Sequence, residues 1–412
     1  MSQTIKEEGW EYATADTQYH VHGIHPYPAR MIPQIANRLI RERSGIGDTV
    51  LDPFCGSGSV LVEALLLWRN AIGSDISPLA YLIAKVKTTP IEPEKLENAS
   101  RELLKNIRLK IRLRRNGGYK TSVPYFTNIY HWFNKDVVEE LAIVKEQLDS
   151  MYEYGNESHL GDFFRVCFSM TIRMTSNIDF EDNPYFIRAL TEEEAKNHSR
   201  DVLATFEGQV RDGVERIRGF SEVCPKNVKA RVLLADSRSL PLEDASVNLI
   251  VTSPPYGEES HTMSYSRFAK LSLLWMGMSS REINLYTKKT LGGGMTPPRP
   301  YSKLLDETIE RVSEKSKTRA KEIFSFYWDY AKCLNQMFRV MVDGGYCCIV
   351  IGDRTASGVT VSNGELTKEL GRLAGFEHVK TYERKIPKKV LPRKDYKVEL
   401  INRESIIIMR KP

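Results

Sequence analysis

The sequence predicts an α/β protein: a mostly parallel sheet of about seven strands that carries a helical insertion. Three observations predict it. Residues 48 to 76 run strand, glycine turn, helix and strand, one βαβ unit of a parallel sheet. The next apolar strands come only at 231 to 236 and 247 to 253, about 150 residues later, where a crossover needs only about a dozen. The remaining C-terminal part then alternates helix and strand again.

Taken in order, PARMIPQIANRLIRER reads as a helix, with Ile32, Ile35, Ala36, Leu39 and Ile40 on one face. Thr49 to Pro53 is a short apolar strand, GSGS interrupts it, and VLVEALLLWRN resumes at helical spacing. AIGSDIS is the second strand and contains Asp75. In the insertion, DVVEELAIVKEQLDSMY, GDFFRVCFSMTIRM and DVLATFEGQVRDGVERIRGF all carry helical periodicity. Beyond the strand at 247 to 253 comes the helix FAKLSLLWMGM, then TKKTLGGGMTPPRPYSK, whose Gly and Pro content forbids regular structure. Residues 279 to 320 are therefore read as a mobile loop. The chain continues with the helix FSFYWDYAKCLNQMFRVM, the turn DGG, the strand YCCIVIGD and a helix near 363 to 374. Two closing strands, around 376 to 386 and 404 to 410, are close enough in sequence to run antiparallel. Residues 1–90 and 227–412 thus build the sheet, and 91–226 form the mainly helical insertion.

Composition bounds the function classes. With 412 residues, 41% hydrophobic and 27% charged, the chain buries a globular core and has no disordered character. Its net charge of +6 suits an anionic partner without specifying one. The six cysteines show no CxxC pairing and no histidines at zinc-ligand spacing, which predicts a reduced, metal-free protein. The polar, acidic start and the lack of any apolar run approaching 18 residues predict neither secretion nor membrane insertion. A cytoplasmic location is expected.

In LDPFCGSGS, Gly56 and Gly58 let the backbone turn sharply after a strand and bring a ligand close to the amides of the next helix. No Lys follows where a phosphate-binding loop requires one. Asp75 closes the second strand, where a carboxylate can accept from both ribose hydroxyls. With Asp52 and Asp236 it makes three acids at carboxyl ends of strands, the ligand-binding edge of an open α/β sheet. They predict a nucleoside pocket with a positively charged substituent near Asp52.

TSPPYG, at 252 to 257, ends the fourth strand on that same edge. Pro254 and Pro255 hold φ and give up two backbone donors, so this turn presents acceptors rigidly. An exocyclic amine, with two N–H groups to satisfy, suits such a turn.

These residues resemble the amino-methylating DNA methyltransferases, and specifically the cytosine-N4 branch. There Ser-Pro-Pro-Tyr is more usual than the Asp-Pro-Pro-Tyr common among adenine-N6 enzymes. HGIHPYPARMIPQIANRLI, at 22 to 40, resembles motif X, which covers the methionine end of the cofactor; LDPFCGSG resembles motif I, Asp75 motif II, Asp236 motif III and SPPY motif IV. DGGYCCIVIGD resembles the strand-five region, and RKIPKKVLP with RESIIIMRK the closing strands. The order X, I, II, insertion, III, IV departs from the permuted order of many cytosine-N4 enzymes.

The resemblance implies a class I S-adenosylmethionine-dependent methyltransferase fold, with S-adenosylmethionine as cofactor and no metal. It places His25, Pro28, Asp52, Phe54, Gly56, Gly58, Asp75 and Asp236 around the cofactor and makes Ser253, Pro254, Pro255 and Tyr256 catalytic. The Ser253 hydroxyl and Pro254 carbonyl would each accept one amine N–H, drawing the nitrogen towards tetrahedral geometry, while Tyr256 stacks on the base. The implied partners are double-stranded DNA and a cognate restriction endonuclease. Adenine-N6 methylation, RNA guanine-N2 methylation and an inactive nucleic-acid-binding relative are the alternatives.

Base chemistry on a duplex requires flipping, so some surface must hold DNA. RELLKNIRLKIRLRRNGGYK, at 101 to 120, offers Arg108, Lys110, Arg112, Arg114, Arg115 and Lys120 for phosphates, with a solvated helix face as the alternative. Arg281, Lys288, Lys289 and Arg299 form a second candidate surface. The aromatic stretches VPYFTNIYHWF and DFEDNPYF suit either target recognition or a helical core, and packing suits His131.

Overall fold

The structure is a computed structural model and describes residues 9–154, 158–178, 190–191, 193–194, 200–259, 262, 264–386 and 403–412. DFEDNPYF lies outside the described residues.

Helix α1 (Pro33–Arg43) starts at Pro33 rather than at residue 28, because proline is preorganised for a first helical turn. Then come β1 (Thr49–Asp52), α2 (Ser59–Leu66), β2 (Asn70–Asp75) and α3 (Pro78–Thr88). β2 lies parallel to β1 through Val50↔Ala71 and to β3 (Ala230–Leu234) through Ala71↔Ala230. On its other side β1 pairs with β4 (Val247–Thr252) through Val50↔Leu249. β5 (Met341–Gly352) follows in parallel; β9 (Arg403–Arg410) is antiparallel to β5 and to β8 (Glu377–Lys385). The order β3-β2-β1-β4-β5-β9-β8, with β9 alone reversed, is the class I S-adenosylmethionine-dependent methyltransferase fold. Between β1 and β4 the order of connection reverses, and at that switch point an open α/β sheet forms its ligand crevice.

The insertion holds α4 (Pro93–Arg115), the short α5 (Ile129–Trp132), α6 (Lys135–Tyr154), α7 (Ser158–Thr175) and α8 (Val202–Val223). It shares one core with the sheet's helices: Leu79 and Ile83 of α3 pack in the same cluster as Phe163, Phe168 and Phe206. Trp275, at the end of α9 (Tyr265–Trp275), closes this core with edge-on contacts to Phe126, Phe133 and Phe168. The aromatics Phe126 and Phe133 of the VPYFTNIYHWF stretch are therefore core residues.

The reading of 279 to 320 as a loop needs correction. Ser279 and Glu282 form a capping box that starts α10 (Ser280–Thr287), Ser302 caps α11 (Lys303–Ser313), and Ser316 caps α12 (Lys317–Val340). The irregular centre is tied to α12. The Thr296 amide donates to Ser325 Oγ at 2.6 Å, the Gly292 amide to Asp329 at 3.2 Å, and the Arg299 guanidinium sits 3.9 Å from the Trp328 ring centroid. The DGG expected as a turn lies inside β5, where Gly344 takes φ +78° and the register with β4 shifts. A two-stranded hairpin, β6 (Arg354–Ala356) with β7 (Val359–Val361), precedes α13 (Asn363–Leu373). Three-residue strands are too short for periodicity to reveal.

Candidate active site

A cavity with ≈ 1030 Å³ of empty volume opens at the carboxyl ends of the central strands, and Pro28, Asp52, Phe54, Gly56, Asp75 and Asp236 line it. Asp75 accepts from the Gly56 amide at 2.9 Å and the Ser77 amide at 2.8 Å, so one carboxylate organises both the glycine turn and the start of α3. Burial pushes it up to about 6 against those bonds. Asp52 accepts from Thr252 Oγ1 at 2.6 Å and the Phe54 amide at 3.1 Å, and burial pushes it to about 7. Burial also acts to raise Asp236, but the hydrogen bonds and charge of Arg238 outweigh it and hold this acid below its ordinary value. Arg238 in turn reaches Asp329 at 2.7 Å and the Lys289 carbonyl at 2.7 Å, which fastens the segment carrying Lys289, Thr290 and Leu291 along the cavity.

The residues present fit S-adenosylmethionine. Ser57 Oγ, Ser59 Oγ and Glu259 Oε2 are buried in this lining and have no hydrogen-bond partner among the described residues. A ligand with hydroxyls, an ammonium, a carboxylate and a sulfonium matches such orphaned groups and the paired acids. Gly56 has φ +48°, and a Cβ there would stand 3.3 Å from the Tyr27 ring. Gly58, at φ +81°, caps α2 and is absent from the lining; its bare backbone lets Ala84 approach, 3.1 Å from where a Cβ would be.

Ser253 and Pro255 line the same cavity, whereas Tyr256 turns away from it. Its hydroxyl donates to Glu404 Oε1 at 2.7 Å. Tyr256, Ser253, Arg384 and Glu404 line a second cavity with ≈ 410 Å³ of empty volume. The two cavities share Ala29, Arg30, Met31 and Ser253. Pro254 is buried and lines neither.

The turn is clamped from behind by residues that sequence reasoning missed. Asn363 Nδ2 donates to the Tyr256 carbonyl at 2.9 Å and the Gly352 carbonyl at 2.7 Å, and the Tyr327 hydroxyl donates to Asn363 Oδ1. Arg354 grips Glu258 through two bonds of 3.0 and 2.7 Å. A Cβ on Gly257 would lie 2.4 Å from Arg354 Cζ, so a larger residue there would displace the guanidinium that grips Glu258. None of these partners carries a local sequence signal, since each arrives from a distant segment.

Other expected residues stand elsewhere. His25 is fully buried and lines neither cavity. Its ring nitrogens meet Ser169 Oγ at 2.9 Å and the Pro26 carbonyl at 2.6 Å, and burial lowers it to about 3, so it is a neutral packing residue. The basic stretch is largely consumed within the insertion. Arg108 pairs with Glu207 at 2.6 Å, Lys110 with Glu146 at 2.7 Å, Arg114 with Asp136, Glu139 and Glu140, and Arg115 with Glu140 at 2.8 Å. Arg112 stays exposed with no ion-pair partner among the described residues. Lys288 and Lys289 are exposed, and Lys289 lines the cavity. Among the described residues no group of three or more His, Cys, Asp or Glu is gathered to hold a metal, and no helix is long and apolar enough to cross a membrane.

The DNA methylase family profile matches residues 3–86, the stretch from the polar start through α3. The type II methyltransferase M.MvaI of Kocuria varians is 29% identical over 96% of this chain and 90% of its own length. M.BsoBI of Geobacillus stearothermophilus, another type II methyltransferase, is 24% identical over 65% of this chain and 55% of its own. A tRNA (guanine(10)-N2)-dimethyltransferase of Methanothermobacter thermautotrophicus is 44% identical, but over only 12% of this chain and 15% of its own. With a type II relative matched along most of its length, a family profile over its first 86 residues and the carboxylate-and-SPPY geometry at the sheet's switch point, the chain is similar to the amino-methylating, S-adenosylmethionine-dependent DNA methyltransferases.

Proposed function

We propose that this protein transfers a methyl group from S-adenosylmethionine to the exocyclic N4 amine of cytosine in double-stranded DNA, as the modification enzyme of a restriction-modification system. The observation that carries the reading is the meeting of two cavities at Ser253. Group transfer needs donor and acceptor in contact at the reacting atoms, and here the only SPPY side chain common to both linings is the serine hydroxyl. When bound, S-adenosylmethionine supplies an electrophilic sulfonium methyl. Asp52 and Asp75 hold its charged and hydroxyl groups. The Ser253 hydroxyl accepts an amine N–H, which helps to concentrate the nitrogen lone pair on the side facing the methyl. Tyr256 stacks on the base that has left the duplex.

A neutral hydroxyl at position 253, in place of a carboxylate, favours cytosine N4 over adenine N6. The type II relatives support a restriction-modification setting, with an endonuclease that cuts the same sequence unmethylated. The test is to methylate plasmid DNA with the purified enzyme, identify the modified base by mass spectrometry and locate it by sequencing. The expected product is 4-methylcytosine at one short sequence. 6-Methyladenine would move the chain to the adenine branch, and methylation of RNA alone would overturn the assignment.

A further inference from the structure

The second cavity has one wall that the SPPY chemistry leaves unused. Arg384, near the end of β8, lines it although only 4% exposed. It stands opposite Glu404 in the β8–β9 register. Its Nε lies 3.1 Å from Glu404 Oε2, an ion-pair contact too bent for a hydrogen bond, so this buried nitrogen has no hydrogen-bond partner among the described residues. The other Glu404 oxygen accepts from the Tyr256 hydroxyl at 2.7 Å. One carboxylate thus holds both the stacking ring and a buried guanidinium on the wall of the acceptor cavity.

We propose that Arg384 is a specificity-determining residue that reads the ring edge of the target base, donating to N3 and O2 of cytosine while Ser253 holds the amine. The inference rests on the cytosine reading above. Along cytosine's edge the amine is followed by two acceptors in a row. Adenine follows its amine with one acceptor, N1, and then a C–H. A planar guanidinium fork matches two neighbouring acceptors and gains little from one. Glu404 is the positioning residue: it orients the fork and ties it to the Tyr256 ring against which the base would lie.

The experiment is single-turnover methyl transfer by the full-length enzyme on duplexes carrying either cytosine or an analogue without the 2-oxo group at the target position. Arg384→Lys keeps the charge opposite Glu404 but removes the fork. Wild type is expected to lose about tenfold or more on the analogue, the scale of a good bidentate base contact. Arg384→Lys is expected to lose a similar factor on cytosine, to lose nothing further on the analogue, and to bind S-adenosylmethionine like wild type. Wild-type rates for Arg384→Lys on cytosine, or losses that multiply on the analogue, would overturn the assignment. If the lysine variant does not fold, the paired change Arg384→Met with Glu404→Gln, which removes both charges, is read the same way. A wild-type product of 6-methyladenine overturns the cytosine reading and this inference with it; 4-methylcytosine with an unaffected Arg384→Lys overturns this inference alone.

Discussion

The Thr252 hydroxyl donates a 2.6 Å hydrogen bond to Asp52 Oδ1, joining the residue just before Ser253 on β4 to the acid that ends β1. This bond acts to lower Asp52, but burial outweighs it and the carboxyl rises to about 7. The nearby Asp75 rises to about 6 for the same leading reason. The ligand-free site therefore holds two acids that would rather be neutral, which suits a pocket built for a cation.

A stability consequence follows for Asp52. Its folded value lies above its ordinary one, so between about pH 4 and pH 7 the folded state binds more protons than the unfolded chain, and this group's contribution falls as pH rises through that window. Asp52→Asn removes the penalty. The ligand-free variant should melt close to wild type near pH 4 and progressively above it as pH rises to 8, while its affinity for S-adenosylmethionine falls at pH 8. Parallel melting curves across this range would contradict the burial argument.

Asp75, proposed to hold S-adenosylmethionine, is a structural group as well, because it receives the Gly56 and Ser77 amides. Asp75→Asn should weaken S-adenosylmethionine binding by about tenfold or more, the scale of a lost hydrogen bond to a charged acceptor. Asp75→Ala should in addition lower the melting temperature, since it leaves two amides unpaired. Calorimetric titration and thermal melting, run on both variants, separate the two roles.

Tyr256 should divide its functions between ring and hydroxyl. Stacking on a base contributes about 1–3 kcal/mol, so Tyr256→Ala should slow single-turnover methyl transfer by tenfold or more. Tyr256→Phe keeps the ring but frees Glu404 Oε1, and a smaller loss of a few fold is expected from looser placement of the ring. Both variants should bind S-adenosylmethionine normally, because Tyr256 lies outside the cofactor cavity.

Asn363 should matter to turnover without touching either ligand. It bridges the carbonyls of Tyr256 and Gly352, and Asn363→Ala leaves both without this donor. The expected result is a lower kcat with near-normal cofactor affinity. A change confined to cofactor affinity would remove Asn363 from the support of the SPPY turn.

For Arg114 and Arg115, though not for the exposed Arg112, the ion pairs reverse the expectation from charge alone. Neutralising phosphate contacts changes the slope of log affinity against log salt by about 0.9 per contact, yet Arg114 and Arg115 are occupied by acids of α6. Changing Arg114 and Arg115 to Ala should leave that slope almost unaltered. It should instead cost about 1–3 kcal/mol of stability, mainly by stranding the nearly buried Glu140, discounted for solvent screening at the exposed members. A clearly flatter salt dependence would restore the segment as a DNA-binding face.

What the sequence determined by itself is local in origin: the βαβ unit from 48 to 76, the glycine turn, the acids ending their strands, the SPPY turn and the helices of the insertion. Periodicity, turn residues and motif spacing all act over a few residues, so a linear reading captures them. What the tertiary structure decided is pairing across long separations. Glu404 reaches Tyr256 from 148 residues away, Asn363 from 107, and His25 leaves the site for Ser169, 144 residues on. The basic run in α4 looked like a phosphate surface because charge is visible in one dimension, whereas the acids that neutralise Arg114 lie 22 to 26 residues further along. Whether a charged side chain faces solvent, a ligand or its opposite charge is settled only when the chain has folded, because desolvation and Coulomb energy depend on distances that sequence spacing does not encode.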